Sequence, residues 1–146
     1  MTGFNHTLAG TVIALAIKQP LLIAPLAFLS HFVMDALPHF GNYPGLIPYN
    51  ALFKRYLIGE AILCFAMLGF AISLSPSNWF ILAWGAAFAT LPDFLWPLRN
   101  LAPQWSKWFF KFHTFIQWGE RPYGWIYELI FTAFLVTLLI RLASAA

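Results

Sequence analysis

Ser30-His31-Phe32-Val33-Met34-Asp35-Ala36-Leu37-Pro38-His39 closes a strongly apolar run that opens near Pro20. It holds two of the four histidines and one of the two aspartates of the chain. His31 and Asp35 stand four residues apart, so a helix puts them on one face. Pro38 disfavours the helical conformation at Leu37, which ends the helix there and leaves His39 just beyond it. Imidazole, carboxylate and imidazole thus gather at the mouth of an apolar helix. Such groups are costly against lipid and face an interior or a cavity.

Working outward, the composition sets the class. The 146 residues are 61% hydrophobic and 9% charged, with mean hydropathy +0.73. Soluble domains average about 25% charged residues, so an integral membrane protein of one domain, 1–146, is expected. The formal charge of +3 bears on membrane orientation and not on nucleic-acid binding. The single cysteine, Cys64, excludes an intrachain disulfide and a cysteine-type zinc site.

Asn5 reads as the cap of a first helix from about His6 to Lys18. No basic residue precedes its apolar run, so it reads as a retained helix and not a cleaved signal. Gln19-Pro20 breaks it, and a second helix runs to Leu37, forming a tight hairpin with the first. Residues 40–50 carry Gly41, Pro44, Gly45 and Pro48 and read as a loop. Tyr56 to Leu74 and Trp79 to Leu91 form a second hairpin, closed by Pro92-Asp93 and Pro97, which predict a bent or unwound end. Tyr123 to about Leu142 is a last span. Between them Trp105, Trp108, Phe109, Phe112, Phe115 and Ile116 recur on one helical face, with Lys107, Lys111 and Thr114 opposite. That pattern suits a helix lying in the membrane interface. The expected fold is an all-α polytopic membrane bundle of about five membrane helices plus one interfacial amphipathic helix.

Lys54, Arg55, Arg99, Lys107, Lys111 and Arg121 fall on one side of this topology and Lys18 and Arg141 on the other. The bias predicts a cytoplasmic N-terminus. His6, His31, Asp35, His39, Asp93 and His113, all the histidines and aspartates of the chain, then meet at that same face. These are groups that zinc, iron or manganese accept. One metal with supporting partners, or two sharing a carboxylate, can be drawn from them. Glu60 and Glu128 are placed outside the ligand shell. Glu128 reads as a first-turn acid or a partner of Arg121, and Glu60 as a base standing behind the ligands or a side chain reaching towards Arg55.

Asn5-His6-Thr7-Leu8-Ala9-Gly10, Ser30 to His39 and Leu91-Pro92-Asp93 resemble segments of the small bacterial inner-membrane, metal-dependent hydrolase-like proteins, the YdjM-like family. That family is distantly similar to the zinc-dependent phospholipase C and nuclease superfamily. Phe112-His113-Thr114 is faintly similar to the family's histidine-rich segment ending in Thr-His-Ser, with one histidine in place of two. The family's Asp-x-Asp-His after the Leu-Pro-Asp is replaced by Asp93-Phe94-Leu95-Trp96. The resemblance implies His6, His31, Asp35 and Asp93 as metal ligands, for a divalent metal, zinc before manganese or iron.

The combined expectation is a multi-pass protein of the bacterial inner membrane that hydrolyses a phosphoester of a lipid or lipid-linked substrate. His39 and His113 complete a shell or act as general acid and base. Lys54, Arg55, Arg99 and Lys107 are available to an anionic head group. The alternatives are a non-catalytic, metal-stabilised subunit or assembly factor, and a haem or quinone site on His6 and His31.

Overall fold

The structure is a computed structural model and describes residues 1–41, 51–99, 101 and 103–145. Six α-helices make up nearly all of these: α1 (Gly3–Ile17), α2 (Pro20–Asp35), α3 (Ala51–Leu74), α4 (Trp79–Leu95), α5 (Lys107–Ile116) and α6 (Trp125–Ser144). Two short strands, β1 (His39–Phe40) and β2 (Glu120–Arg121), pair in parallel, His39 opposite Glu120 and Phe40 opposite Arg121. The expected Gly/Pro loop lies mostly in 42–50, outside the described residues.

α1 is the hub. It packs against α2, α3, α4 and α6 at once, and Asn5 through Thr11 are all buried. Its sequence explains this. Thr7, Ala9, Gly10, Thr11 and Ala14 are small, and small residues let helix backbones approach closely. The approach is closest at Gly10 and Gly85 of α4. A Cβ on either glycine would overlap the carbonyl oxygen of the other. Around this crossing Leu8, Ala14, Leu15, Ile23, Met67, Ala71, Leu82 and Leu139 form the apolar core.

α1 ends where Lys18 takes a left-handed conformation (φ 57°) and its N–H bonds the Ala14 carbonyl at 2.9 Å. Pro20 then begins α2 at a position where its missing N–H costs nothing. The expected hairpin of the first two helices is therefore present, α1 packing against α2.

α3 and α6 are long and apolar enough to cross a membrane, Lys54–Leu74 with 21 residues and Trp125–Ser144 with 20. At about 1.5 Å per residue each reaches the ~30 Å of a hydrocarbon core. Their outer faces carry exposed Ile58, Ile62, Phe65, Leu129, Ile130 and Phe134. α1, α2 and α4, with 15, 16 and 17 residues, are shorter.

Two details differ from the sequence reading. Asn5 lies inside α1, and Thr2 occupies the cap position. Pro92 does not unwind α4, which continues through Asp93 to Leu95 before a single 3₁₀ turn, Trp96–Leu98. Arg99 stacks over the Trp96 ring at 3.4 Å beyond that turn.

On α5 the aromatic residues split. Trp105, in the preceding turn, and Trp108, Phe112 and Phe115 are exposed. Phe109 packs against Phe28 and Phe32 of α2, Phe112 also touches Phe32 with its inner edge, and His113 is buried. The inward line of Phe109 and His113 seats α5 across the end of α2, and this seating carries His113 to the site.

Candidate metal centre

Four helices each contribute to one cluster: His6 from α1, His31 and Asp35 from α2, Asp93 from α4 and His113 from α5. His31, Asp35 and His113 are at most 1% exposed, and the Asp93 side chain is 33% exposed. Each of these last four offers one ligand atom within 4.8 Å of the others.

The orientation of His31 sets the chemistry. Its Nδ1–H donates to the carbonyl of Ala89 on α4 at 2.8 Å. A carbonyl only accepts, so the proton sits on Nδ1 and Nε2 presents a lone pair. A second bond of this kind is how metal-ligating histidines are held.

The separations then have a simple reading. His31 Nε2 lies 3.0 Å from His113 Nε2, 3.2 Å from Asp35 Oδ2 and 3.6 Å from Asp93 Oδ1. His113 Nε2 lies 3.3 Å from Asp35 Oδ2 and 3.5 Å from Asp93 Oδ1. A tetrahedral ion with bonds of about 2.0–2.1 Å has ligand atoms roughly 3.3–3.4 Å apart. Five of the six edges of such a tetrahedron are therefore present within a few tenths of an ångström. Two imidazole nitrogens and two carboxylate oxygens form a donor set that fits a divalent ion.

His6 meets the opposite side of the carboxylates. Its Nε2 is 3.0 Å from Asp35 Oδ1 and 3.9 Å from Asp93 Oδ2, and its ring stacks on His31 with centroids 4.0 Å apart. The main-chain nitrogen of Met1 also contacts Asp35 Oδ1. His6 thus touches the cluster through Asp35, while His113, read from sequence as completing a shell or acting as acid and base, stands among the four groups that could hold an ion.

Glu60 and Glu128 do what the sequence did not reveal: they hold the start of α1. Glu128 accepts from the Thr2 N–H (3.1 Å), the Thr2 hydroxyl (2.8 Å) and the Asn5 side-chain amide (2.6 Å). Glu60 accepts from the Gly3 N–H at 2.8 Å. The first N–H groups of a helix lack internal partners and attract negative charge. Both acids satisfy that need from neighbouring helices and so fix the height of His6. Glu128→Ala leaves Asn5 and Thr2 short of acceptors in a buried setting, so we expect a loss of about 1–3 kcal/mol, readable as a lower thermal midpoint in detergent.

His39 stands apart from the cluster. Its Nδ1–H donates to the Leu37 carbonyl at 2.7 Å, and its Nε2 lies 3.9 Å from Glu120 Oε1. Burial lowers the proton affinity of His39. Burial raises that of Glu120.

Both residues line a cavity of about 450 Å³ that also reaches Asp93 and His113. Phe40, Tyr56, Leu57, Phe94 and Trp96 give it apolar walls, and Glu60, Asp93 and Glu120 are its carboxylates. Lys54, Arg55, Arg99 and Lys107, available in sequence to a head group, are not among the described residues that line it. Comparison of the chain with protein-family models, with curated proteins and with solved structures finds no match in any of the three.

Proposed function

We propose that the chain is a membrane-embedded, metal-dependent hydrolase of a phosphoester in a lipid or lipid-linked substrate. The observation that supports this reading best is the set of His31, Asp35, Asp93 and His113, with five of six separations near tetrahedral values, two of whose members, Asp93 and His113, line an apolar-walled cavity. A bound divalent ion supplies Lewis acidity and a water of lowered pKa. Zinc suits the donor set first, with manganese or iron next.

The residues of the chain divide the remaining work. Asp35 and the two histidines hold the ion. Asp93, the most exposed of the four, would hold the position on the ion that water or substrate can reach. The apolar walls accept the acyl or isoprenoid part of an amphiphile and exclude bulk water from the reacting bond. In this reading five helices, α1, α2, α3, α4 and α6, lie in the inner membrane of a bacterium. α5 rests in the interface on its exposed aromatic residues, and the site faces the cytoplasm on the side richer in Lys and Arg.

A second reading has its own support. Four protein ligands close a tetrahedral shell, which is the habit of structural zinc sites. In that case the ion ties α2, α4 and α5 together in a non-catalytic subunit. Turnover separates the two. Metal-loaded protein in phospholipid micelles is assayed on bis(p-nitrophenyl) phosphate and on phosphatidic acid, beside Asp93→Asn. The hydrolase reading expects metal-dependent release of product, reduced at least ~100-fold in the variant. Loaded, folded protein that turns over neither substrate overturns it in favour of the structural reading.

A further inference from the structure

The pairing of β1 with β2 brings together two groups that the metal centre does not use. His39 Nε2 is buried and has no hydrogen-bond partner among the described residues, while its Nδ1–H is committed to Leu37. The Nε2 lone pair therefore faces the Glu120 carboxyl across 3.9 Å on the wall of the cavity. That span is too long for a direct hydrogen bond, and a bridging water is the contact that would join the two groups.

The local backbone is built for this approach. A Cβ on Gly41 would stand 2.6 Å from Glu120 Cγ and 2.8 Å from its Oε1. A Cβ on Gly124 would overlap the backbone of His39, and one on Gly119 that of Leu37. Gly41 thus leaves room for the Glu120 side chain, and Gly119 and Gly124 for the backbone that carries His39, where the strands pair in register.

We infer that His39 and Glu120 form a proton-transfer pair on the cavity wall, with His39 exchanging the proton through a held water and Glu120 as its positioning residue. Burial disfavours the charged form of both groups, lowering the proton affinity of His39 and raising that of Glu120. The two affinities are brought closer together, as proton exchange requires. Asp35 and Glu128 act on His39 and favour its cation, and the Met1 main-chain nitrogen opposes it. On Glu120, the Met1 nitrogen and His113 favour the carboxylate and Asp35 opposes it.

The use of the pair in turnover rests on the hydrolase reading. There, His39 Nε2 takes a proton from the water as its oxygen bonds phosphorus. The bond from phosphorus to the leaving oxygen breaks, and that oxygen receives the proton from the imidazolium. Water is consumed, and the alcohol and the phosphate product are released.

The pair can be tested without turnover. The full chain, labelled with ¹⁵N-histidine, is titrated in micelles by NMR, and the His39 signals are assigned with His39→Gln. The expected state at neutral pH is the Nδ1–H tautomer. Glu120→Gln moves the His39 midpoint down by about one pH unit, a tenfold change in proton affinity. Glu120→Asp retains part of the coupling, and Gly41→Ala, which displaces the carboxyl, weakens it. Bound metal is unchanged in all three. An Nε2–H tautomer, or a midpoint that stays put in both Glu120→Gln and Gly41→Ala, overturns the pair. Coupling without any turnover leaves the pair standing and removes the hydrolase reading alone.

Discussion

Asp35→Asn should lower metal affinity by more than ~100-fold while the protein stays folded. Outer-shell partners of a metal site typically cost about 10–100-fold when removed, and Asp35 is more than an outer partner. Its Oδ2 lies 3.2 and 3.3 Å from the two ligand nitrogens, and its Oδ1 lies 3.0 Å from His6. Asparagine keeps the shape and removes the charge. An amide oxygen is a far weaker donor to a divalent ion than a carboxylate, and the amide N–H₂ end repels it. Isothermal titration with zinc reads the change. Metal binding to histidine and carboxylate releases protons, so binding to the wild type should also weaken as pH falls. An Asp35→Asn protein that binds zinc as tightly as wild type would place the ion elsewhere.

Gly10→Leu should abolish the folded state. Ordinary overpacking of a core costs about 1–3 kcal/mol because side chains can shift. At Gly10 the obstacle is the Gly85 backbone, and neither helix can retreat. α1 is packed by four helices, so a shift to relieve the clash breaks contacts on the opposite side. Gly85→Leu should act alike, and Gly59→Leu on α3, where an added Cβ meets nothing within 4 Å, should be tolerated. Size-exclusion profile and thermal midpoint in detergent distinguish these outcomes.

The sequence made some of this legible and concealed the rest, for physical reasons. The His31–Asp35 register follows from helix periodicity alone, and Pro38 fixed the exit of α2 to within a turn, at Asp35. The gathering of His6, His31, Asp35 and Asp93 could be read because helices of alternating direction bring the start of α1 and the ends of α2 and α4 to one side. The roles of Glu60 and Glu128 could not. The need they meet, unpaired N–H groups at the start of α1, arises only when α1, α3 and α6 come together. His39 and Glu120 meet through a two-residue strand pair, too short to leave a periodic signal. Pro92 looked like a helix terminator, yet α4 runs through it to Leu95. Gly10 and Gly85 are ordinary glycines in sequence and become indispensable only at their crossing.

Whether His31, Asp35, Asp93 and His113 hold one divalent ion is tested most directly by elemental analysis. Protein purified in detergent is loaded with zinc and freed of excess, beside a His31→Ala/His113→Ala double variant. We expect about one ion per chain in the wild type and close to none in the folded double variant. A folded wild type that retains no metal, or a double variant that retains as much as the wild type, would contradict the assignment.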